Sequence, residues 1–160
     1  MSSSTSDCCC CCCCCSLRRL LVLFTMLVSA LASSALVLLA SVESDFRFVA
    51  LMEPIVDVEH AIWTSPAGLA LRCELRRVGI EHSLVERHFP LVSPIHGTPL
   101  CGGERVTFCA GKYDRIAPAA DVEKMHQLWR GSEYLEVPQG HFGYRMMRTM
   151  WARLVQRGAI

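Results

Sequence analysis

The sequence predicts an α/β fold, with a partial parallel sheet at its C-terminal end and a single apolar helix at its N-terminal end. Three observations predict it. Val106–Ala110 and Tyr134–Val137 are short apolar runs bounded by glycine or proline, as strands are. Between them, Val122, Met125 and Trp129 recur at helical spacing. A strand, a helix and a second strand in so short a stretch form a βαβ unit, whose strands are parallel. The third observation is Leu20–Val42, 23 residues without a charge.

The N-terminal tract, residues 1–16, is rich in serine and cysteine. Eight of the 11 cysteines are consecutive, Cys8 to Cys15; the others are Cys73, Cys101 and Cys109. Adjacent cysteines lack the spaced pairs of a zinc site, and three scattered ones do not make a disulfide framework. Low-complexity sequence without a selected role, lipidation beside a membrane segment and metal binding stay open as readings. Residues 17–42 follow as an anchor or signal segment. A helix of about 20 apolar residues crosses the hydrocarbon core. Arg18 and Arg19 precede the run, which predicts a single-pass protein with a cytoplasmic N-terminus. The competing reading is a signal peptide cleaved near Ala30-Leu31-Ala32, giving a secreted product. A buried helix is disfavoured, because the run shows no polar stripe.

Residues 43–103 read as a connector and a helix. Phe46, Phe48 and Leu51 alternate as a short strand. Ser65-Pro66 supplies an N-cap and a proline at the first helical position, and Gly79 a stop. Leu71, Leu75 and Val78 form the apolar face between them. Phe89–Ile95 carries two prolines and reads as a loop or a short edge strand. Cys101-Gly102-Gly103 is a turn. In residues 104–160, Pro118 opens a helix whose first turn holds Asp121 and Glu123, where the helix dipole favours negative charge. Gly131 ends it. Phe142–Arg157 is a closing helix with Tyr144, Met147, Trp151 and Leu154 on its apolar side.

Charge excludes one class of partner. The chain holds 16 Lys plus Arg and 15 Asp plus Glu; setting aside Arg18, Arg19 and Asp7 leaves 14 of each in residues 43–160. So even a balance offers no electrostatic basis for binding nucleic acid.

The chemistry lies in Glu104–Tyr144, which reads ERVTFCAGKYDRIAPAADVEKMHQLWRGSEYLEVPQGHFGY. Asp114 falls just past the first strand and His141 just past the second. Sites in open α/β sheets lie beyond the carboxyl ends of the strands, so both residues emerge at one sheet edge. A carboxylate that accepts the His Nδ1–H fixes the tautomer and leaves Nε2 to take a proton from a nucleophile. Gly140 and Gly143 flank the histidine, and Tyr113 and Phe142 are candidates to wall the site.

YDRIAP followed by a helix and then GHFGY resembles the C-terminal end of the α/β-hydrolase superfamily, over about Glu104–Val155. The resemblance implies Asp114 as the triad acid and His141 as the triad base. It implies a serine hydrolase of an ester, thioester or amide, with backbone N–H groups holding the oxyanion and no metal or organic cofactor. The family's G-x-S-x-G elbow is absent from the sequence. Ser93 is followed by proline, and Ser65 reads as a helix cap. Cys101 lies only five residues before Val106, too close for the elements that follow an elbow. His96-Gly97, like the His-Gly of an oxyanion loop, falls in the wrong order. A complete hydrolase sheet has about eight strands, more than 118 residues supply. The expectation is the C-terminal part of a larger hydrolase, inactive alone, with a small ester-type substrate when complete. The alternative is a membrane-anchored, non-catalytic binding or dimerisation module, held through residues 20–42.

Overall fold

Val106 to Gly111 is buried along its whole length and forms the central strand, β2, of a three-stranded parallel sheet in a computed structural model that describes residues 32–159. Its neighbours are β1 (Val49–Met52) and β3 (Glu133–Val137), in the order β1-β2-β3. Leu51 stands opposite Phe108, and Phe108 opposite Tyr134. A parallel strand covered on both faces reads as a continuous apolar run, which is why VTFCAG showed no alternation.

Helices cover both faces. On one lie α1 (residues 32–40) and α5 (Ala119–Leu128). Val37 and Ala40 from α1, and Val122, Met125 and Trp129 at and beyond α5, pack with Leu51, Val106 and Phe108. The Trp129 ring meets Phe108 edge-on, at 5.6 Å between centroids, and its Nε1–H donates to Gly97 O at 2.8 Å. On the other face lies α6 (Tyr144–Gln156), whose Met146 and Met150 pack with Cys109 and Val137. Between β1 and β2 run α2 (Val58–Trp63), α3 (Leu69–Arg77), α4 (His82–Val85) and several 3-10 turns.

The strands, the α5 helix and its buried face agree with the sequence reading. Other expectations change. The strand near Phe46 and Phe48 is Val49–Met52, so the segment read as connector supplies a third of the sheet. Phe89–Ile95 is not an edge strand: 3-10 turns span Glu86–Leu91 and Pro94–His96, and Ile95 N donates to Val56 O at 2.9 Å. Leu71 of α3 and Val78, which caps it, are exposed, and no residue of that helix is fully buried. Arg72 anchors α3 instead, donating to Ser65 O at 2.9 Å and to Ile62 O. Tyr144, Met147 and Trp151 of α6 face solvent. Its apolar residues cover about half of the helix circumference, opposite Arg145, Arg148, Thr149, Arg153 and Gln156, and only the Met146–Met150 edge of that broad side is buried, so periodicity alone could not choose the phase. Met146 N donating to Gln139 Oε1 at 2.9 Å holds its first turn with Met146 and Met150 inward.

The apolar N-terminal segment also differs from expectation where it is described. In α1 every third residue is buried, Ser34, Val37 and Ala40, while Leu36 and Leu39 are exposed. Ser33 and Ser34 hydroxyls donate to Met52 O at 3.2 Å and Ile55 O at 2.6 Å. So the stretch has a serine-marked inner side. Among the described residues no helix is long and apolar enough to cross a membrane. The Cys8–Cys15 run, Arg18, Arg19 and residues 20–31 of the expected span lie outside the described residues. Truncating Val37→Ala is expected to cost about 2 kcal/mol, against no more than about 0.5 kcal/mol for Leu36→Ala. Urea denaturation measures both; two equally small losses would mean that α1 is not part of the core.

Candidate active site

The carboxyl ends of the three strands carry Glu53, Asp114 and His141. Lys112 N donates to Val137 O at 2.8 Å, and Tyr113 N to Gln139 O at 2.9 Å. These bonds continue the β2-β3 pairing past the strands and bring the two loops together. Asp114 and His141 meet there as the sequence predicts. His141 Nδ1 lies 2.7 Å from Asp114 Oδ2. The Asp114 side chain is fully buried and that of His141 is 4% exposed. Asp114 Oδ1 accepts from Ile116 N at 2.7 Å and Ala117 N at 3.0 Å. With one oxygen held by the backbone, the other can point only at the imidazole. A carboxylate so placed orients the ring and stabilises it when it takes a proton.

Two aromatic residues expected to wall the site do so only in part. Tyr113 is largely exposed. Phe142 is half exposed, and its ring meets the His141 ring edge-on at 4.7 Å. Gly143 is needed for close packing: a Cβ there would lie 2.7 Å from Gln139 Oε1. Gly111 has the same role at the end of β2, where a Cβ would lie 2.9 Å from Gln139 O and 3.2 Å from Glu53 Oε1.

Glu53 and Gln139 were missed from sequence. Glu53 follows β1 directly, and its Oε2 lies 3.9 Å from His141 Nδ1. Among the described residues it alone, apart from glycines, has a positive φ, at 49°. Burial pushes its carboxyl up from an ordinary 4.5 to about 7; His141 pulls it down, Asp114 pushes it up and the Gln139 hydrogen bond pulls it down. Gln139 Nε2 donates to Glu53 Oε1 at 3.4 Å and to Gly143 O at 3.2 Å, tying the acid to the histidine loop. The rule that placed Asp114 and His141 would have found Glu53, had β1 been recognised to end at Met52.

The nucleophile candidates are accounted for. Ser93 is buried, and its Oγ accepts from Val58 N at 3.1 Å. Ser65 Oγ accepts from Ala67 N at 3.2 Å and donates to Arg115 O at 2.8 Å, the work of a cap and a tether. Cys101 is buried, and burial pushes its thiol up, away from the reactive thiolate. Cys109 is pushed up to about 12 for the same reason. The His96-Gly97 carbonyl is occupied by Trp129.

Glu53, Asp114 and His141 are also the described residues whose donor atoms gather closely enough for a cation, within 4.8 Å of one another. Yet Asp114 already accepts three hydrogen bonds. Asp114 Oδ2 lies at hydrogen-bond distance from His141 Nδ1, with Glu53 Oε2 at 3.9 Å from the same nitrogen. What the set can do chemically is hold one imidazole tautomer and absorb positive charge on that ring.

No family model matches the chain, and no curated protein does. Among solved structures, the chain is similar to the crystal structure of puromycin hydrolase, with 17% identity and a TM-score of 0.46 over 71% of this chain and 18% of that one. It is similar also to a mutant of puromycin hydrolase complexed with PGG, with 16% identity and a TM-score of 0.46 over 68% of this chain and 17% of that one. The chain therefore spans less than a fifth of the length of the structures it resembles.

Proposed function

We propose that this chain is the acid-and-base part of a serine hydrolase of the α/β-hydrolase type, acting on an ester, thioester or amide. The observation that carries the reading is the buried Asp114–His141 pair at the carboxyl edge of a parallel sheet. In this reading a serine supplied by polypeptide outside the 160 residues attacks the substrate carbonyl. His141 Nε2 takes the serine proton and returns it to the leaving group. Asp114 stays ionised, keeps the Nδ1–H tautomer and stabilises the imidazolium. Alone, the chain has the base without the nucleophile that it serves.

The test uses a serine-directed phosphonate probe. The full 160-residue chain is expected to remain unlabelled by intact mass. Stoichiometric labelling of one of its own serines, lost in His141→Ala, would overturn the view that the nucleophile lies elsewhere. The native protein, captured with an antibody to residues 104–157, is expected to carry the label on a serine outside this sequence. A native species of this chain's own mass that never reacts would overturn the hydrolase reading.

A further inference from the structure

Glu53 takes no part in the acid–base pair just described, yet two independent features aim it there. It holds a left-handed backbone conformation, φ 49°, which a residue with a Cβ rarely adopts and which persists only when its surroundings enforce it. What enforces it is visible. Glu53 N donates to Cys109 O at 2.9 Å, extending the β1-β2 pairing by one residue, and Pro54 follows, fully buried. The bend turns the side chain inward over the sheet end, where only 13% of it is exposed. There its Oε2 lies 3.9 Å from the ring nitrogen that Asp114 engages at 2.7 Å.

We propose that Glu53 is a positioning residue of the His141 site: a second carboxylate on the Nδ1 side of the imidazole, able to accept the Nδ1–H when Asp114 is altered. The inference rests on the hydrolase reading for its function, though not for its geometry. The groups facing Glu53 are few. Asp114 comes from the loop after β2, Cys109 from β2 itself, and His141 and the neutral Gln139 from the loop after β3. Among the described residues, Ser33 from α1 and Met146 and Met147 from α6 line an open cleft of about 280 Å³ with Met52, Gly143 and Glu53. Thus Glu53 stands between that cleft and the histidine. When it is protonated, Asp114 is the one carboxylate beside the ring among the described residues. When ionised, Glu53 places two carboxylates there. The change falls near neutral pH, since burial holds this carboxyl up at about 7.

The experiment is NMR of the full chain with 15N-labelled histidine, the six histidines being assigned through His141→Gln. Ring-nitrogen shifts of His141 are followed from pH 4 to 9 in the native chain, Glu53→Gln, Asp114→Asn and the double variant. In the native chain the His141 shifts are expected to record the ionisation of Glu53 as an inflection of its own, absent in Glu53→Gln. In Asp114→Asn the amide oxygen is claimed by Ile116 N and Ala117 N. The low-field Nδ1–H resonance is then expected to move yet persist above neutral pH, and to vanish in the double variant. Identical His141 profiles in the native chain and Glu53→Gln would overturn the proposal. So would a single inflection in the native chain, even if every variant failed to fold. A positive result beside a failed probe experiment would keep the Glu53 contact and discard the hydrolase. The reverse would keep the hydrolase and discard Glu53.

Discussion

Replacing Asp114 by alanine is expected to destabilise the fold by about 3–5 kcal/mol. The carboxylate is fully buried and accepts from His141, Ile116 and Ala117 at once. Alanine strands the Ile116 and Ala117 N–H groups and takes from the imidazole N–H its nearest acceptor, and each unsatisfied donor costs about 1–3 kcal/mol. Part of this is recovered where the Ile116–Ala117 turn relaxes toward solvent. Asp114→Asn is the informative companion. Its amide oxygen can keep both backbone bonds, so its loss is expected to be less than half that of alanine. Urea denaturation of the native chain and the two variants at pH 7.5 measures the difference. Equal losses would mean that the backbone bonds contribute little and that Asp114 matters only through His141.

The second large effect has a defined sign in pH. The Glu53 carboxyl is raised from 4.5 to about 7 in the folded chain, first through burial. Between those two values the folded state keeps a proton that the unfolded state has released. Stability therefore falls as pH rises through the window, and levels off above about 7. The full difference is at most on the order of 3 kcal/mol, since a tenfold change in proton affinity is worth about 1.4 kcal/mol and solvent screening reduces it at a carboxyl that water partly reaches. Glu53→Gln keeps the size and polarity of the side chain and cannot ionise. It is expected to match the native chain at pH 4.5 and to exceed it at pH 8 by about 1–3 kcal/mol. Taking the difference between the two proteins cancels the titrating groups that do not interact with Glu53, and leaves in it those that do, His141 and Asp114. Parallel curves across that range would show that Glu53 ionises freely, and that the histidine gains a full second charge without cost to the fold.

How far the fold was legible depended on how local each signal was. The runs flanking Asp114 and His141 were readable because strand ends are marked by their own residues, Gly111 as the last of β2 and Pro138 after β3. The α5 helix was readable because its one apolar stripe is its buried stripe. By contrast, the apolar side of α6 is wider than the Met146–Met150 strip that is buried, and its phase is set by Gln139 in the loop that precedes it. In α1 the leucines conceal the side that matters, which is marked by Ser34 and Ala40. Apolar count is a poor guide there, since small residues are what allow a helix to lie close against a sheet.

The candidate site divides in the same way. Strand, acid, helix, strand and histidine follow one another along the chain. Chain order and parallel pairing are enough to place Asp114 and His141 at one edge, so their meeting followed from residues 104–144 alone. Glu53 reaches the same point from a strand more than 50 residues earlier in the chain, paired to β2 across three helices and their turns. No local pattern announces that approach. Its φ of 49°, its burial and its raised carboxyl exist only once β1 has paired, because they arise from the packing of β2, Gln139 and α6 around it.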